Sequence, residues 1–269
     1  MNVISLYFAL WVTVDHGGQD ILYSTVLSIS MLAVAISTPI LGTLSDSTGK
    51  RRLPLIGLTL LCVFSTGLIG TTDDLWTGLI LFMVANYGYQ SALVFYNSML
   101  PSISRGSHVG LISGYGVALG YLGSIVGMLM VKGYVESDGR SAAFLPTAGL
   151  LLFFSLPCFL FVKDAESAGA SSPIHFKEAL DKLKQTFRCV RQYRSLFRFI
   201  LIHFLVLDAV NTIITFMAVY ASKVIGFSGS QITSFLISST VCAMFGSWLI
   251  GILIKNKGVI WSYWLVLGL

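Results

Sequence analysis

Charge is what this sequence has least of. Only 11% of its 269 residues are Asp, Glu, Lys or Arg, whereas 55% are hydrophobic. Soluble domains carry roughly 25% charged residues, so a chain wholly surrounded by water is excluded. Cysteine is also sparse, at Cys62, Cys158, Cys189 and Cys242. Three of these lie in apolar runs and none forms a Cys-x-x-Cys pair, so neither a disulfide framework nor a thiolate metal site is implied. The four histidines, at positions 16, 108, 175 and 203, lack metal-ligand spacing. No HExxH, phosphate-binding loop or Ser/His/Asp arrangement occurs, so nothing points to an enzyme, a bound metal or a cofactor. The basic n-region and small-residue cleavage site of a cleavable signal peptide are missing as well.

What the chain does have is a series of apolar runs near 21–44, 54–71, 75–97, 108–131, 142–162, 199–221 and 230–254. Runs of about 18 residues or more mark spanning helices. The lipid bilayer then stands in for a single buried core, and each helix satisfies its own backbone hydrogen bonds. The expected fold class is an all-α membrane protein. Residues 1–14 are apolar but too short to span, and the chain ends in a further apolar run at 259–269. A polar break at 163–198 divides the sequence into a first helical half, 1–162, a connector, 163–198, and the start of a second half, 199–269. The connector opens with linker composition, Lys163-Asp-Ala-Glu-Ser-Ala-Gly-Ala-Ser-Ser-Pro173. Then Phe176, Ala179, Leu180, Leu183, Phe187 and Val190 recur at helical spacing among basic residues. This predicts an amphipathic helix on the membrane surface, with a plain solvated connector helix as the alternative.

The cations test this topology. If alternate loops share a side, 45–53, 98–107, 163–198 and 255–258 lie together and carry fourteen Lys and Arg, against Lys132, Arg140 and Lys223 opposite. The positive-inside rule makes the richer side cytoplasmic. It also accounts for the net charge of +5 without invoking nucleic acid.

One loop stands out: Gly42-Thr-Leu44-Ser-Asp46-Ser-Thr-Gly49-Lys50-Arg51-Arg52. Its glycines suit a sharp turn. Asp46 is suited to cap exposed N–H groups or to hold a neighbouring Arg. The pattern Gly-x-Leu-x-Asp-x-x-Gly-(Lys/Arg)-(Arg/Lys) resembles the loop between helices 2 and 3 of major facilitator superfamily transporters. Gly42, Leu44, Asp46, Gly49, Lys50 and Arg51 fill its defining positions, with Arg52 completing the triplet. The resemblance implies two related six-helix halves around a midplane solute site, with this loop stabilising a gate. A shift of about 209 residues lays Gly42, Leu44 and Gly49 over Gly251, Leu253 and Gly258, with Lys255 in place of Asp46. By the same shift, helix 1 would begin about twelve residues before Met1. The chain therefore reads as a fragment running from late helix 1 to early helix 9, the alternative being a genuine eight- or nine-helix protein.

Polar residues inside spans mark the candidate path. Asp208 lies mid-span, where a carboxylate should face a cavity or a partner. Asn211, Thr212 and Thr215 follow on the same helical face, whereas His203 does not share it. Solute binding, proton coupling and a structural bond to another helix all remain open for Asp208. Helix 4 carries Asn86, Gln90 and Asn97 near Tyr87, Tyr89 and Tyr96; these could bind a zwitterion or join helices. In helix 5, Gly114, Gly116, Gly120, Gly123 and Gly127 recur at spacings that permit close helix packing.

Three stretches carry a closer resemblance: Phe95 to Pro101, Ile112 to Gly123, and Leu207-Asp-Ala-Val-Asn-Thr-Ile-Ile214 running on to Val219-Tyr-Ala221. Together they resemble the autophagy-related vacuolar effluxer branch of the superfamily, which has bacterial members. That branch has a polar segment early in helix 1 that is not in this sequence. The resemblance implies secondary transport of a small-molecule solute, with amino acids the first class to consider because fungal members release them from the vacuole. A non-transporting membrane scaffold or receptor of the same fold is the rival. The lack of long insertions favours a bacterial plasma membrane over a vacuolar one.

Overall fold

The computed structural model describes residues 2–48, 50–103, 109–162, 164 and 193–268. Among them lie nine α-helices and no strand. Helix α1 (Asn2–Leu10) continues into a π-helical turn, Trp11–Asp15. Next come α2 (Asp20–Thr48), α3 (Arg52–Ile69), α4 (Leu75–Ile103) and α5 (Val109–Asp138). A 3-10 turn, Arg140–Ala143, leads into α6 (Phe144–Phe161). Beyond the connector lie α7 (Arg194–Tyr220), a π-helical turn (Ala221–Ile225), α8 (Gly229–Lys257) and α9 (Val259–Gly268). Seven stretches are long and apolar enough to cross a membrane, one in each of the helices from α2 to α8. The amphipathic helix expected at 176–190 falls outside the described residues.

Several boundaries differ from those read off hydropathy. Helix α2 runs to Thr48, α4 to Ile103 and α8 to Lys257, while α7 begins at Arg194. The loops expected at 45–53, 98–107 and 255–258 are accordingly shorter, and residues 194–198 belong to α7 rather than to the connector. Hydropathy marks where lipid ends, but a helix continues into water or headgroups until glycine or a cap stops it. Gly258, at φ +84°, supplies such a stop between α8 and α9.

The short first helix is the hub of the packing. From Val3 to Val12 only Ser5 escapes burial. Phe8 stacks on Phe82 at 4.2 Å, with Trp11, Tyr23 and Phe144 around it. Such aromatic pairs contribute ~0.5–1.5 kcal/mol each beyond burial. A Cβ on Gly78 would lie 2.7 Å from the Trp11 ring, so any larger residue there would have to displace that buried ring. The same core takes in Val219, Ala221 and Ile232 from beyond the connector, and Phe216 meets Tyr23 edge-on at 6.2 Å. This aromatic cluster lies toward the end of the bundle opposite the Lys50–Arg52 triplet. The start of α4 is also fixed locally. Asp74 precedes its first residue and accepts bonds from the Thr77 N–H (2.8 Å) and hydroxyl (2.7 Å). Those two bonds from Thr77 hold the exposed carboxyl below the usual aspartate range.

Candidate functional site

At the basic end, the segment expected to be a loop is mostly helix. Residues Gly42 to Asp46 lie in the last turns of α2, which runs on to Thr48 despite Pro39 and Gly42 within it. A Cβ on Gly42 would meet nothing within 4 Å, so the expected sharp turn or close approach at that glycine is not what the structure contains. The side chains of Leu44 and Asp46, and Gly49 as a whole, lie outside the described residues. Ser45 is buried and its hydroxyl sits 3.2 Å from that of Ser98 on α4. Lys50 is exposed.

The two arginines are fixed by a residue that sequence reasoning passed over. Asp164, just past α6, accepts hydrogen bonds from the backbone N–H groups of Arg51 and Arg52, both at 2.8 Å on one carboxylate oxygen. A carboxylate there satisfies orphan donors and meets the positive end of the α3 dipole. The Arg51 guanidinium donates to the Ser98 carbonyl at 2.6 Å, and that of Arg52 donates to the Phe159 carbonyl. One acid and two arginines thereby join the start of α3 to the ends of α4 and α6. The signal in the sequence was slight: one carboxylate directly after an apolar span, inside a basic segment.

The expected path residues are not brought together. Asn86 is 3% exposed and donates to the Ser30 hydroxyl at 2.9 Å, which in turn donates to the Met83 carbonyl. Its amide thus belongs to the α2–α4 contact rather than to an open path. Gln90 is half-buried and Asn97 exposed. Asp208, Asn211 and Thr212 are exposed on α7, and no residue of Phe197–Ile214 is buried. Among the described residues, no hydrogen bond or ion pair joins this stripe to the α4 amides.

The glycines of α5 divide by position. A Cβ on Gly114 would lie 2.9 Å from the Gly251 Cα, and one on Gly110 would lie 2.7 Å from Ile254. These two make the tight seam between α5 and α8. A Cβ on Gly127 would lie 3.4 Å from Val3, and one on Gly116 would lie 3.8 Å from the Tyr96 hydroxyl. A Cβ on Gly120 or Gly123 would meet no other element within 4 Å, so close packing is not the reason for glycine at either.

At the opposite end, ion pairs join elements far apart in sequence. Arg140 binds Asp15, linking the α5–α6 and α1–α2 turns. Lys223, after α7, binds Asp20 at the start of α2 across 2.6 Å. Among the described residues no group of three His, Cys, Asp or Glu side chains is placed to hold a metal.

The Major Facilitator Superfamily sequence profile matches residues 1–269. The chain is 28% identical over 232 residues to the uncharacterized MFS-type transporter YxiO of Bacillus subtilis (strain 168), covering 81% of this chain and 54% of that one. It is 27% identical over 278 residues to an uncharacterized protein of Aquifex aeolicus (strain VF5), covering 98% and 67%. It is also 26% identical over 191 residues to the multidrug resistance protein MdtG of Enterobacter lignolyticus (strain SCF1), covering 68% and 44%. The chain thus spans about half to two thirds of the length of these relatives. No solved structure matches it significantly. With the profile matched from end to end and the apolar helices in place, the chain belongs to the major facilitator superfamily.

Proposed function

We propose that the protein moves a small solute across a bacterial plasma membrane by alternating access, with its basic end toward the cytoplasm. The observation that carries this is the α5–α8 seam, where Gly114 lies backbone-to-backbone on Gly251. That contact joins segments on opposite sides of the connector while leaving no side chains to interlock, which suits two halves that rock. The fourteen-to-three division of cations supports the orientation, and the bacterial origin of the relatives supports the membrane. The resemblance to the effluxer-like branch supports amino acids as the solute.

A second reading, expulsion of drugs, is favoured by the multidrug resistance relative. The test is flux in phospholipid vesicles containing the purified chain under an imposed proton gradient. Gradient-dependent accumulation of labelled amino acids supports the first reading, and movement of ethidium alone supports the second. If neither solute moves, the transport reading fails and a non-transporting scaffold takes its place.

A further inference from the structure

We infer that a cavity at the end opposite the basic loops is a binding site for a small, net-neutral amino acid. For the solute class this rests on the transport reading. The cavity measures about 320 Å³, near the lower end for small-ligand sites and tight for a drug-sized molecule. Apolar side chains of α1 and α5 line part of it, together with Tyr7. Around them stand two cations, Lys132 and Arg140, and two carboxylates, Asp15 and Glu136. Only three cations are assigned to this end of the protein by sequence, and two of them border this cavity.

The two pairs differ. Arg140 and Asp15 are in tight contact, with side chains 25% and 32% exposed. Lys132 and Glu136 face each other at 3.8 Å on one turn of α5, at 37% and 61% exposure. A contact that long and that wet yields readily to a ligand. An amino acid entering there would place its carboxylate on Lys132 and its ammonium on Glu136, giving each charge a closer partner, while Arg140–Asp15 stays as a frame. A simple anion would meet both carboxylates, and a simple cation would meet both basic groups. The balanced charge therefore selects solutes bearing one of each.

Beyond the connector, Ser230 and Thr233 of α8 complete the lining. The N–H groups of the α8 start are not the attraction: Ser228 and Gln231 already form a reciprocal cap there. Recognition would come from side chains of both halves, so the occupied cavity would also bridge them.

Occupancy can be read without transport. In the full chain, Ser230→Cys is labelled with a membrane-impermeant maleimide, with the unsubstituted chain as background for its own cysteines. L-Leucine should slow labelling, whereas isovalerate and isoamylamine, which each keep one of its two charges, should not. Lys132→Gln and Glu136→Gln should each weaken leucine protection by about tenfold, with the unliganded labelling rate and the melting temperature unchanged. Equal protection by all three compounds, no protection by leucine, or full protection in both variants would overturn the site. Protection without vesicle uptake keeps the cavity and removes the transport reading. Uptake without protection removes the cavity and leaves transport standing.

Discussion

Asp164 shows how one side chain can hold three helix ends. Its carboxylate takes two backbone N–H bonds at the start of α3, and the arginines that carry those N–H groups reach the carbonyls of Ser98 and Phe159. Replacing a capping acid costs about 1–2 kcal/mol. We expect Asp164→Ala to lower the melting temperature in detergent by roughly 2–8 °C and Asp164→Asn, which keeps an acceptor, to lower it less. An unchanged melting curve for Asp164→Ala would remove the latch. Asp208 makes the opposite case, a carboxylate in mid-span with no bond among the described residues. If it carries the coupling proton, Asp208→Asn should reach the membrane and still exchange labelled for unlabelled solute, yet lose accumulation driven by a proton gradient. Loss of both fluxes in a well-folded variant would point to solute binding instead, and retention of both would sink either role.

At the scale of elements, glycine decides which helices touch. Gly114 and Gly120 sit on the same helix with similar sequence surroundings, but a Cβ on the first would run into the backbone of α8 and one on the second would stand in open space. Gly114→Val should destabilise by about 1–3 kcal/mol through overpacking, whereas Gly120→Ala should be neutral or stabilising by up to about 1 kcal/mol, since it raises helix propensity in open space. Thermal unfolding in detergent checks both, and equal effects would contradict the seam. The start of α4 adds a pH dependence. Asp74 is held below its ordinary value by Thr77, so its cap is fully present above the unfolded value of about 3.9. That stabilisation is lost as pH falls through the lower, folded value. Asp74→Asn should therefore melt below the parent near neutrality, and the two should converge as the solution is acidified past about pH 4. A gap that stays constant with pH would exclude the ionised cap.

For the whole molecule, the contacts between described segments before and after the connector include apolar packing, a Tyr7–Thr233 hydrogen bond and an ion pair. Apolar packing joins α1 to α7 and α8 through the shared core, and Gly114 on Gly251 makes the seam. Among the described residues, the ion pair across the connector is Lys223 with Asp20, half exposed on both sides. Exposed pairs contribute about 0.2–1 kcal/mol and are screened by salt. As a clasp at the end away from the basic loops, this pair should bias conformation more than stability. Asp20→Lys should raise maleimide access to a cysteine at Phe227 in low salt, and Asp20→Lys with Lys223→Asp should restore the parent rate. Absence of rescue would deny the pair that part.

Much of the architecture was legible in the chain itself, because lipid imposes a one-dimensional rule. A helix that must cross hydrocarbon needs an unbroken apolar run, and the runs at 54–71 and 75–97 accordingly fall on α3 and α4. The cation count and the Gly42–Arg52 pattern are likewise local, readable without knowing what touches what. Tertiary structure alone decided the rest. It placed Asn86 against Ser30, left Asp208 open, seated Gly114 but not Gly120 or Gly123, and put Asp164 on the start of α3, 112 and 113 residues away from its partners. In a membrane every spanning helix is apolar on most sides, so periodicity no longer marks the face that packs. Which small or polar side chain finds a partner depends on the neighbour that each helix acquires, and that is a property of the assembled bundle.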